Sequence, residues 1–145
     1  MSSVEATTRI LNEQVNGYKK LVDLLQRERA CLLDLNAKGV EELSKEKDTL
    51  IMRLRLLEEE RVRVVKKEFN GEVSLQGLWK LTGDSAFMEI RSKLLSLVQS
   101  IEELNEFNRL LIERSLNYIR GTANFFGFSG PGPKDGKGAY YSREI

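Results

Sequence analysis

No proline occurs before Pro131. Inside a helix, proline lacks the N–H that the ladder needs and its ring clashes with the preceding turn, at a cost of about 3 kcal/mol. A chain without it for so long can form long, uninterrupted helices. Leu, Glu, Lys and Arg, all good helix formers, dominate the same stretch. Pro131, Pro133 and five of the eleven glycines fall between Gly127 and Gly138. The chain therefore divides into a helical region, 1–127, and a Gly/Pro-rich tail, 128–145, expected to be flexible.

Apolar spacing supplies the elements. Val4, Leu11, Val15, Tyr18, Val22, Leu25 and Leu32 follow at steps of three and four or their multiples, with Leu21, Leu24 and Leu33 widening the face. This predicts a helix over about 3–35, with Ser2 and Glu5 placed for a capping box. Asn36 and Gly39 are its expected terminators. A second helix is predicted over about 40–69, with the seam Val40, Leu43, Leu50, Leu54, Leu57 and Val64. Lys47 and Arg61 occupy two seam positions and are expected to turn their charges outward. Ser74 can cap a short helix over about 74–82, with Leu75, Leu78 and Trp79 as its apolar face and Trp79 as a core or lid residue. Asp84 or Ser85 starts the last helix, predicted over about 84–126. The resulting class is all-α. It is an antiparallel helical bundle or coiled coil of three long helices plus one short one.

Chemistry is hard to place in this chain. It has no histidine, the usual general base and commonest metal ligand. Its single cysteine, Cys31, allows neither an internal disulfide nor a multi-cysteine zinc site. Glu58, Glu59 and Glu60 are consecutive, so on a helix their carboxylates diverge by about 100° each. The glycines of the tail neither follow a strand nor open a helix, as a phosphate loop requires. No enzyme, cofactor or metal is expected. Lys plus Arg is 23 and Asp plus Glu is 22, so no charge footprint for nucleic acid or an anionic membrane exists. No apolar run reaches the roughly 18 residues of a membrane span, and Met1–Glu5 lacks the basic start and apolar core of a signal peptide. A cytoplasmic location is expected.

One region carries more apolar surface than a bundle uses. Phe87 to Ile101 presents a stripe suited to one neighbour. Leu104, Phe107, Leu110, Leu111, Ile112, Leu116, Tyr118, Ile119, Phe125 and Phe126 together cover about two-thirds of the helix circumference, against the ~100° or more of a core-facing stripe. Drift of one stripe around the helix accounts for Ile112 and Ile119. It does not account for Leu110, Phe107, Phe125 or Phe126. These ten residues are the candidate protein-binding surface.

Several segments resemble the FlgN family of flagellar export chaperones: Gln26-Arg27-Glu28-Arg29-Ala30-Cys31-Leu32-Leu33, Val40-Glu41-Glu42-Leu43 leading into Lys45-Glu46-Lys47-Asp48-Thr49-Leu50, and Leu57-Glu58-Glu59-Glu60-Arg61. The most specific is Asn105 to Ile119, ending Ser115-Leu116-Asn117-Tyr118-Ile119. The resemblance runs from about Val4 to Phe126. It implies an ATP-independent cytoplasmic chaperone that binds the C-terminal helical regions of hook–filament junction proteins. Such a chaperone prevents their premature assembly and delivers them to the type III export gate. The family's tail often carries a Tyr-Gly segment; here Gly136 and Gly138 precede Tyr140-Tyr141, and these two tyrosines are the candidate contacts to the gate. A homodimer is compatible with the apolar surface. The alternative reading is a structural coiled-coil assembly or tethering subunit that forms an obligate homo-oligomer.

Overall fold

The computed structural model describes residues 3–125, with side chains described for 4–121. The described residues form four helices and no strand: α1 (Ser3–Leu33), α2 (Ala37–Phe69), α3 (Leu75–Thr82) and α4 (Ala86–Phe125). The expected tail, 128–145, lies outside the described residues.

The hairpin between α1 and α2 is tighter than the glycine signal suggests. α1 ends because Leu35 adopts a left-handed backbone, φ 56°. Two hydrogen bonds close the end: the Leu35 N–H donates to the Leu32 carbonyl (3.3 Å) and the Asn36 N–H to the Cys31 carbonyl (2.8 Å). This is the Schellman arrangement, with leucine where glycine is usual. The Asn36 side chain then caps α2 by accepting from the Gly39 N–H at 3.0 Å. α2 thus begins at Ala37 rather than Val40, and Gly39 lies inside its first turn. A Cβ at Gly39 would sit 2.7 Å from both Cys31 Sγ and Asn36 Nδ2. Glycine is there for the close approach, not to stop α1.

At the other end, Asn70 (φ 57°) terminates α2. Ser74 caps α3 by accepting from the Gly77 N–H at 3.1 Å. Gly83, at φ 73°, ends α3 with its N–H on the Trp79 carbonyl. Asp84 Oδ1 accepts from the Ala86 N–H at 3.0 Å, so α4 starts at Ala86. Within α3, Leu75 and Leu78 are buried while Trp79 is 38% exposed. Of the expected core or lid role for Trp79, the core half is corrected: the inward face of this two-turn helix is taken by Leu75 and Leu78.

α1 is the central helix. α2 and α4 both pack on it, and no Cα of α2 lies within 8 Å of a Cα of α4 among the described residues. That explains why the buried set on α1 is broad: Ile10, Leu11, Val15, Leu21, Leu24 and Leu25 serve two neighbours at once. One core cluster joins Leu21, Leu24 and Leu25 to Leu43, Leu50, Leu54, Leu57 and Ile101. A second joins Leu11 and Val15 to Val65, Leu75, Leu78, Phe87, Ile90 and Leu94, so α3 closes that end of the bundle.

Polar groups occupy seam positions between the helices. Glu28 is buried and accepts from Lys47 Nζ at 2.8 Å and from Asn108 Nδ2 at 2.9 Å. Asn108 Nδ2 also donates to the Leu25 carbonyl at 3.0 Å. One layer therefore ties α1, α2 and α4 together. Arg61 is also buried, bound to Glu58, which accepts from Gln14 Nε2 at 2.7 Å. The outward-turned Lys47 and Arg61 of the seam reading are thus corrected. Each found an acidic partner at the interface, so its charge did not need water. Beside this second group, burial and then the Glu58 carboxylate raise the Tyr18 phenol above its ordinary value, with Arg61 opposing.

Candidate protein-binding surface

α4 runs parallel to α1, and Asn108 fixes the offset. It bonds Glu28, eighty residues earlier (108 − 28). By that offset α1's last residue, Leu33, lies near Glu113 (33 + 80). The twelve residues from 114 to 125 extend past the end of α1, about 18 Å at ~1.5 Å per residue.

The seam of α4 does not stop where α1 stops. Phe87, Ile90, Leu94, Val98 and Ile101 are buried at steps of three and four. Asn108 continues that stripe, followed by Ile112, Leu116 and Ile119 at steps of four, four and three. These last three are exposed, Ile119 to 61%. Ile112 lies opposite the last turn of α1, and among the described residues no helix covers Leu116 and Ile119, because α1 has ended.

The remaining candidates separate into groups. Leu104 is half-buried against the first core cluster and belongs to the bundle. Leu111 is half-buried. Phe107 and Leu110 are exposed on a different side of α4 from Ile112 and Ile119, with the Arg29 guanidinium 6.0 Å from the Phe107 ring centre. Tyr118 is the most exposed, at 77%. Phe125 ends α4, and its side chain lies outside the described residues, as do Phe126, Tyr140 and Tyr141. Leu33 and Leu35, on the neighbouring hairpin, are exposed to 60% and 80%; Leu33, expected to widen the buried face of α1, is thus corrected, since it is the last residue of α1, and Leu35 was not singled out by the sequence pattern. They sit at the same end of the bundle as Leu116 by the offset above.

Charge frames this surface without filling it. Arg109 joins Glu106 (2.6 Å) and Glu113 along one flank of α4. The hydrogen bonds from Arg109 lower the Glu106 carboxyl below its ordinary value. Water screens such exposed pairs, so they contribute little to stability. Elsewhere the three consecutive glutamates diverge: Glu58 turns to Gln14 and Arg61, and Glu60 to Arg9 at 3.2 Å. The groove between α1 and α2 over Gly17 is lined by Glu13, Lys20, Lys45, Glu46 and Arg53, charges of both signs. Among the described residues no group of three or more His, Cys, Asp or Glu could hold a metal ion. None of their helices is long and apolar enough to cross a membrane.

The polar layer Glu28–Lys47–Asn108 is the feature that sequence reasoning missed. Its signal was present in the spacing. Glu28 stands between Leu25 and Leu32 on the α1 stripe, and Asn108 between Ile101 and Ile112 on that of α4. Polar residues at seam positions set register between helices.

A family model described as FlgN protein matches residues 1–138. No curated protein and no solved structure matches the chain.

Proposed function

The chain belongs to the FlgN family of flagellar export chaperones, and on that footing we propose that it holds the C-terminal helical regions of hook–filament junction proteins against the open half of α4. The observation that carries this reading is the exposed continuation of the α4 seam, Ile112 opposite the last turn of α1 and Leu116 and Ile119 beyond its end. An amphipathic client helix laid on it takes the place that α1 takes lower down, the helix-in-groove mode of recognition. Leu110, Leu111, Phe107, Tyr118, Phe125 and Phe126 widen the contact, and Leu104 supports it from the core side.

Fully burying one such aliphatic side chain is worth about 1.5–3 kcal/mol. Three or four of them offset the entropy of association with a modest surplus. That suits a chaperone, which must release its client at the gate. Holding the client's terminal helix keeps it from premature assembly, and no step calls for ATP. The site of action is the cytoplasm, and Tyr140 and Tyr141 are the proposed contacts to the export gate. Co-purification with the isolated C-terminal segments of hook–filament junction proteins tests the reading. Capture of those segments, but not of the same proteins lacking them, is expected. Capture that ignores the C-terminal segment overturns it.

A further inference from the structure

We propose that the client lies on the open half of α4 as two helical segments rather than one, an inference that rests on the client reading given under the proposed function. The first segment follows Ile112, Leu116 and Ile119. The second follows Phe107, Leu111 and Tyr118. The molecule itself supplies the measure. At about 100° per residue, the buried stripe from Phe87 to Ile101 spans about 80° of α4, and one long helix, α1, runs along it. The buried apolar residues of α1, from Leu24 round to Val15, span about 180°, and two long helices, α2 and α4, share them. The apolar set of the open half, from Phe107 round to Leu116, again spans about 180°, before Leu110 is counted. In this fold an arc of that width is what two neighbours bury. A single neighbour buries about half of it.

The two stripes also differ in kind. The first continues the seam that packs on α1 and is aliphatic throughout. The second is aromatic at both ends and carries cations. Phe107, Leu111, Arg114 and Tyr118 follow at steps of four, three and four, the spacing of a face that meets another helix. Arg114 is exposed within the stripe. The Arg29 guanidinium stands beside it, 6.0 Å from the Phe107 ring centre. The segment that fits here has an apolar face bordered by Asp or Glu, so that its charge complements Arg29 and Arg114. With both segments seated, the upper part of α4 becomes a central helix with two neighbours, as α1 is in the bundle.

Hydrogen exchange of the client's C-terminal segment, free and bound to the full chain, tests the proposal. Two protected stretches are expected, each about three turns long and separated by an exchanging turn. Tyr118→Asp should weaken binding about tenfold and release only one stretch, the one richer in Asp and Glu. Tyr118 is 77% exposed, so the change should leave helix content as it was. Arg114→Glu should release the same stretch with a loss of about fivefold, while Arg114→Lys should bind within about twofold of the native chain. A single protected stretch, or native affinity in Tyr118→Asp, overturns the two-segment proposal and leaves the client reading standing. Failure of the native chain to bind the segment at all overturns both.

Discussion

From Phe87 to Ile101 the seam of α4 is wholly buried; from Ile112 to Ile119 the same seam, with the same spacing and the same kinds of side chain, lies exposed. Nothing within α4 distinguishes the two stretches. The difference comes from α1, which ends at Leu33, opposite about Glu113. Side chains alike in hydropathy are thus buried in the core in one half and exposed in the other. Between them sits Asn108, whose bonds to Leu25 and Glu28 set the offset of the two helices.

Truncation should break the symmetry between the halves most strongly. Leu94→Ala opens a cavity in the α3 end of the core and should cost about 3 kcal/mol in urea unfolding. Leu116→Ala, the matching change in the open half, should stay within about 0.5 kcal/mol. Equal losses would mean that Leu116 is packed. Next in size is the boundary layer. Lys47→Met leaves the Glu28 carboxylate buried without its cation and should cost about 2 kcal/mol. Adding Glu28→Gln should recover most of that loss, since the acceptor for Asn108 persists without the charge. A smaller effect belongs to the hairpin that ends α1. Leu35→Gly relieves a left-handed leucine and should stabilise by about 1 kcal/mol. A loss of stability would show that the exposed Leu35 side chain contributes to the fold.

The smallest effect is electrostatic and confined to the buried part. Folding raises the Tyr18 phenol above 10.0, so the fold favours its neutral form. That contribution is complete below pH 10 and drains away as pH rises through the raised value. Tyr18→Phe should therefore flatten the fall in melting temperature between about pH 9 and pH 11 relative to the native chain. An identical fall in both would remove Tyr18 from the account. Glu106 lies at the start of the other half and is fully exposed; its lowered value adds stability only above the ordinary carboxyl range and loses it on acidification.

The four helices were legible in the sequence because their causes are local. The lack of proline, the steps of three and four, and the caps at Ser74 and Asp84 act within a turn or two of the residues that show them. Most of the stripe from Leu43 to Leu57 and that from Phe87 to Ile101 could be read off as core for the same reason. Three things were not legible, and each depends on a distant part of the chain. The end of α1 rests on a left-handed Leu35, a conformation that leucine does not advertise. The inward Lys47 and Arg61 depend on Glu28 and Glu58, whose approach only the packing reveals. The division of the last helix's apolar residues among core, open seam and a second exposed side depends on the eighty-residue offset between α1 and α4. The wide apolar arc was visible in the sequence. Why it widens became clear only from where α1 ends.

We propose that the open seam of α4 holds the client helix. Isothermal titration of a synthetic C-terminal helical segment of a hook–filament junction protein, into the native chain and into the variant Leu116→Asp/Ile119→Asp, tests it most directly. The variant should keep its melting temperature within about 3 °C, as surface changes do. Its affinity for the segment should fall at least about a hundredfold, since two carboxylates would lose their water on binding. Unchanged affinity in a variant that remains folded would contradict the claim.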